Sequence, residues 1–133
     1  MPNQQSHSRR HAFARQRGLC HYCRLPMWLD DHHVFLARYP LTRRQALLRR
    51  CTAEHLQPRQ DGGGAGRANI VAACAFCNHT RHRAHPPLDP KRYACRVRAR
   101  LAQGGWLPAE VYRVLVGVVP GPLRQNPEAS IGC

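Results

Sequence analysis

The sequence predicts a small α+β domain held together by a bound metal ion. Two observations carry this. First, two Cys-x-x-Cys pairs, Cys20 with Cys23 and Cys74 with Cys77, are separated by fifty residues. Second, two short β-type stretches flank a glycine loop just before the second pair, and a helical stretch begins inside it. The chain's 133 residues suffice for one domain. Its apolar residues are scattered, so the core is thin and a metal staple compensates.

The elements follow in order. Residues 1–10 are polar and basic and read as a disordered tail. Residues 11–19 read as a short helix that Gly18 ends. Residues 24–40 have no clean period. Residues 41–50 read as a basic helix with Thr42 as N-cap and Ala46 and Leu47 facing inward. Residues 51–57 read as a strand. Gly62, Gly63, Gly64 and Gly66 make 61–66 a loop. Ile70 to Ala73 form a second strand, and a helix starting at Ala75 carries Asn78 and His82 until Pro86-Pro87. Asp89 caps a further helix, with Pro90 at its first position, Gly104-Gly105 past its end, and Tyr93, Val97 and Leu101 on one face. Residues 108–118 read as a last helix. The expected organisation is a tail at 1–10, a functional domain at 11–86, a helical extension at 87–119 and a flexible tail at 120–133.

The formal net charge is +14, from 21 basic and 7 acidic residues. That imbalance concerns partners more than fold, and it points to a polyanion. Lys91 is the only lysine, so a compositional bias toward arginine contributes. No window reaches the eighteen apolar residues of a membrane span, and the N-terminus lacks a secretory apolar run. An intracellular, cytoplasmic protein is expected, with DNA or RNA as partner and no membrane. Seven cysteines, an odd number, fit poorly with a secreted disulfide scaffold. In a reducing compartment the paired thiols read as zinc ligands. Cys51 and Cys95 then read as packing residues, and Cys133 as part of a frayed tail.

Each Cys-x-x-Cys turn points two sulfurs at a position about 2.3 Å away, and two such turns complete a closed tetrahedral zinc site. Such a site is structural and performs no chemistry. A redox dithiol would need a βαβ context, which is absent.

Glu54-His55, Pro58-Arg59-x-x-Gly62-Gly63, Asn69-Ile70-Val71 and Cys74-x-x-Cys77-Asn78 together resemble the HNH endonuclease family in its four-cysteine, zinc-bearing form. The resemblance covers residues 20 to about 83. It implies a ββα-metal core braced by structural Zn²⁺, with additional N- and C-terminal helices. Cutting a phosphodiester needs a water, a base for its proton, and a cation for the developing charge. His55 is the candidate base, since an imidazole titrates near operating pH. By resemblance Glu54 is a ligand for catalytic Mg²⁺ or Mn²⁺; the family often has Asp there, and either carboxylate suits such a cation. Asn69 matches the residue that fixes the loop and orients the histidine. Asn78 matches the second metal ligand. His82, one helical turn on, is the second choice for that role or a phosphate contact.

Arg59, Arg67, Arg81 and Arg83 flank these residues and are expected to meet backbone phosphates, with the basic helices 42–50 and 89–103 extending the track. Asp30-Asp31-His32-His33 could make a second metal site, but it lies outside the resemblance. Trp28 and Trp106 read as packing residues, and His79 and His85 as solvated or near phosphates.

The leading expectation is a metal-dependent DNA endonuclease. The first alternative is a non-catalytic zinc-knuckle module that binds nucleic acid. A third reading is a basic structural protein of a phage or mobile element. Target sequence, nicking or double cutting, and oligomeric state have no signature in the chain.

Overall fold

A computed structural model describes residues 3–118 and Cys133. Its centre is an antiparallel pair of strands, β1 (Cys51–His55) and β2 (Ile70–Cys74), followed directly by helix α4 (Ala75–Arg81). The register pairs Cys51 with Cys74, Ala53 with Ala72 and His55 with Ile70. Every residue of β2 is buried. Its outer edge is closed by side-chain and loop groups: Gln16 donates to the Ala72 carbonyl at 2.8 Å and accepts from its N–H at 2.9 Å. The His21 N–H donates to the same carbonyl at 2.9 Å. An edge satisfied in this way offers little to a passing strand.

Helix α1 (Gln4–Arg15) packs on both strands. This corrects the expectation of a disordered tail at 1–10, because the helix starts inside it. The stretch is polar and basic, which hid its packing. Asn3 caps it by accepting from the Ser6 N–H at 2.9 Å, and Ser8 and Ala12 are its buried residues. Small side chains let it lie close, and the Ser8 hydroxyl donates to the Ala65 carbonyl at 2.7 Å.

Residues 24–40 contain a short helix, α2 (His32–Arg38), where no period was visible. Only Phe35 within it is buried, so it carries no amphipathic stripe. Asp31 caps α2 and Asp30 pairs with Arg10, so the acidic-histidine cluster holds structure together. Among the described residues the cysteine quartet alone groups three or more His, Cys, Asp or Glu ligands. Helix α3 (Arg43–Leu47) has the expected Thr42 cap, in a full capping box with Gln45. Ala46 faces inward as expected, but Leu47 is 57% exposed, since five residues make little more than one turn.

Helix α5 (Pro90–Ala102) has Asp89 as its cap and buries Tyr93, Ala94 and Val97. Helix α6 (Ala109–Val118) buries Val111 and Leu115. Both helices contribute to one core with the hairpin and the four paired cysteines. The expected flexible tail at 120–133 falls outside the described residues except for Cys133. Cys133 forms a disulfide with Cys95, their Cα atoms 5.2 Å apart. That corrects both the packing role expected for Cys95 and the frayed position expected for Cys133. The odd count concealed the pair, because Cys51 is buried and free. No described helix is long and apolar enough to cross a membrane.

Candidate active site

The sulfurs of Cys20, Cys23, Cys74 and Cys77 are buried and lie within 4.8 Å of one another. A tetrahedral ion with bonds of about 2.3 Å separates its sulfurs by about 3.8 Å, so the cluster fits one ion. Backbone N–H groups already point at it. Cys74 N donates to Cys20 Sγ at 3.3 Å, and Cys77 N to Cys74 Sγ at 3.3 Å. The Trp106 indole donates to Cys77 Sγ at 3.3 Å, which accounts for that tryptophan as a core residue.

One contributor had no sequence signal. Arg49, 0% exposed, donates to Cys74 Sγ at 3.2 Å and to Cys23 Sγ at 3.3 Å. Its remaining donors meet the Pro26 and Leu25 carbonyls. Burial works against its charge, but the sulfurs of Cys23, Cys74 and Cys20 more than offset that, so its pKa is raised. Four thiolates around a divalent ion leave net negative charge, and Arg49 neutralises part of it. This removes Arg49 from the basic track expected of residues 42–50, where it was indistinguishable from its neighbours. Arg49→Leu should cost about 3–5 kcal/mol, the usual loss when one partner of a buried charge pair goes. Arg49→Lys should recover only part, because a single ammonium cannot reach two sulfurs and two carbonyls in a planar fork. Denaturant unfolding of the metal-loaded protein measures both.

Tyr22 links this cluster to the end of β1. It sits between Cys20 and Cys23, and its hydroxyl donates to Glu54 Oε2 at 3.1 Å. Glu54 is 1% exposed. Arg81 Nη1 lies 3.2 Å from the same oxygen, and His82 Nε2 lies 2.9 Å from Oε1. Arg81 is itself 3% exposed and also donates to the Leu88 and His55 carbonyls. The expectation that Arg81 contacts a phosphate is therefore corrected. Its guanidinium is spent inside the protein, as counterion to a buried carboxylate.

Alternation along β1 separates Glu54 from His55. His55 is half-buried at the strand end, and Arg59 Nε donates toward His55 Nε2 at 3.3 Å. That nitrogen therefore holds a lone pair. Partial burial, then the charges of Arg59 and His82, lower the His55 pKa below its ordinary 6.5, against an opposing pull from Glu54. Arg59 also reaches Gln5 of α1.

Asn69 ties the loop to the strand end. Its amide donates to the Gln57 carbonyl at 3.0 Å and the Gly64 carbonyl at 2.8 Å, and its oxygen accepts from Gln57 N at 2.8 Å. The loop demands glycine at two places. Gly62 has φ +90°, and a Cβ on Gly63 would stand 1.7 Å from the Gln57 carbonyl oxygen. Asn78 turns its amide nitrogen to Thr52 Oγ1 at 3.0 Å and the Ala53 carbonyl at 3.4 Å. It thereby locks α4 onto β1. It makes no hydrogen bond to Glu54; Arg81 at the end of α4 and His82 just beyond it contact that carboxylate.

A comparison with known families matches residues 42–84 to the HNH endonuclease family. That segment is similar to an HNH endonuclease domain. Comparisons with curated proteins and with solved structures found no match. The matched segment spans α3, the hairpin and α4, and so includes Glu54, His55, Asn69, Asn78 and His82. Cys20, Cys23 and Gln16 lie outside it, yet they complete the four-cysteine cluster and close the free edge of the hairpin. HNH proteins are generally nucleases that use divalent metals and act on nucleic acid, which agrees with the charge of +14. Arg59, Arg67 and Arg83 are exposed around the HNH segment, as are His79 and His85.

Proposed function

We propose that the protein is a metal-dependent endonuclease that hydrolyses DNA phosphodiester bonds. The observation that carries this is the approach of His82 Nε2 to Glu54 Oε1, 2.9 Å, beside His55 in the HNH segment. Two neighbouring ligands of an octahedral cation bound at about 2.1 Å stand about 3 Å apart, so the pair fits one edge of such a site. Glu54 and His82 would hold the ion, Mg²⁺ or Mn²⁺, with Asn78 supporting the helix that carries His82. When bound, the ion supplies positive charge to the phosphate and its leaving oxygen.

The chain's own residues do the rest. His55 Nε2 gives up its contact with Arg59 and accepts a proton from water. The water oxygen forms a bond to phosphorus, the bond from phosphorus to the 3′ oxygen breaks, and that oxygen takes a proton from solvent. Asn69 holds the loop that fixes the strand end where His55 sits. Arg59, Arg67 and Arg83 bind backbone phosphates. The cysteine cluster carries structural Zn²⁺, the ion that four thiolates favour. RNA as substrate shares this chemistry and is separated from DNA by direct assay.

The complete partnering of Glu54 favours a second reading, a non-catalytic zinc-knuckle module in which Glu54, Arg81 and His82 form a buried structural network. His82→Ala separates the two. Half-exposed at the end of α4, it can be truncated without opening the core. The nuclease reading expects weaker Mn²⁺ binding by calorimetry and a cleavage rate lower by about tenfold or more, at an unchanged melting temperature. Wild-type cleavage and Mn²⁺ binding in that variant would sink the catalytic assignment. Glu54→Ala is the poorer probe. It should destabilise by about 3–5 kcal/mol because Arg81 is left buried without its counterion, which a chemical melt would show.

A further inference from the structure

Where α1 crosses β1 there is an open cavity of about 310 Å³ lined by Gln5, Ser6, Arg9, Arg50, Thr52 and Ala53 among others. No acidic side chain lines it. The Cys51 thiol on its wall is pushed by burial up to about 12, so it adds no negative charge. Arg9 and Arg50 are the two charged side chains of its lining. Two arginines, two hydroxyl residues and two amide residues lining one concavity match a phosphodiester.

Its position relates it to the strand end. Cys51, Ala53 and His55 share one face of β1, and His55 stands two residues beyond Ala53, about 7 Å along the strand. Gln5 lines the cavity and also contacts Arg59, whose Nε lies 3.3 Å from His55 Nε2. The cavity and His55 are thus two stations on one surface, joined by Gln5 and Arg59.

We propose that this cavity is a second backbone-phosphate subsite, built by Arg9 of α1 with Arg50, that seats a nucleic-acid phosphate adjacent to the one facing His55. It rests on the nucleic-acid reading of this face. It also gives α1, which lies outside the HNH segment, a part in binding. The subsite holds substrate and does no chemistry, so its loss should raise KM and leave kcat unchanged.

The test measures binding of a DNA duplex at several salt concentrations without divalent ion, for wild type, the double variant Arg9→Gln/Arg50→Gln, and Arg113→Gln as a control at an exposed position of α6. The double variant should bind about tenfold or more weakly and lose about one unit of the salt slope, the signature of one phosphate contact. Inorganic phosphate should shift the amide resonances of Ser6, Arg9 and Thr52 in wild type and not in the variant. A slope equal to that of wild type, or a loss matched by Arg113→Gln, overturns the subsite. If the double variant unfolds, Arg50→Gln alone decides, since Arg50 is exposed and its loss leaves the core intact. Because binding is read without catalysis, the subsite can stand while the nuclease reading fails. Intact cleavage with an unchanged slope removes the subsite alone.

Discussion

His55→Ala is expected to lower DNA cleavage by about 10²- to 10⁴-fold, the usual worth of a positioned general base. The side chain is half-buried, and its one side-chain partner is Arg59, so truncation should leave the fold and the zinc in place. Wild-type activity should also carry His55's titration. The neutral imidazole is the active form, and burial with Arg59 nearby lowers its pKa. Cleavage should therefore be full at pH 7 and fall as pH drops through a midpoint below about 6.5. The alanine variant should lack that limb. Rates measured under saturating Mg²⁺ across pH 5 to 8 read both effects. An unchanged rate in His55→Ala would remove the mechanism, and a midpoint above 7 would contradict the environment described for this histidine.

Removing the zinc proposed for the four-cysteine cluster is expected to be the second large effect. The four cysteines are part of the hydrophobic core itself, packed with Tyr22, Tyr93, Val97 and Trp106. Structural zinc sites in small domains contribute about 10–16 kcal/mol, and whole domains are stable by only about 5–15 kcal/mol. Chelation, or Cys77→Ser, should therefore unfold the hairpin along with the helices packed on it. Loss of zinc, followed with a chromogenic chelator, should coincide with loss of circular dichroism and of cleavage. A metal-free protein that melted at the wild-type temperature would show that the cluster has no structural role.

Much of the fold was legible because local chemistry and position agreed. Thr42, Asp89 and Pro90 mark helix starts whose physics is local, and the Cys-x-x-Cys spacing names its own geometry. The HNH order of residues placed Glu54, His55 and Asn69 at one strand end. What the sequence hid was tertiary. Arg49 and Arg81 resemble the other arginines, and only packing turns one toward sulfurs and the other toward Glu54. Both were therefore indistinguishable from phosphate-binding residues. Helix α1 looked like a charged tail because its contact face is made of Ser8 and Ala12. Asn78 and His82 were equal candidates for one role because side-chain direction is a tertiary matter: Asn78 turns to Thr52, and His82 meets Glu54. The link between Cys95 and Cys133 spans 38 residues and has no local signature.

The central claim is metal-dependent cleavage, and supercoiled plasmid reads it most directly. Purified, zinc-loaded protein is mixed with plasmid in Mg²⁺ or Mn²⁺, then briefly with EDTA, then with excess Mg²⁺ again, while zinc content is followed. The expected result is conversion to nicked or linear DNA with either ion, arrest in EDTA without loss of zinc, and recovery on re-addition. Plasmid that stays supercoiled with both ions, or is cut equally well in EDTA, would contradict the account.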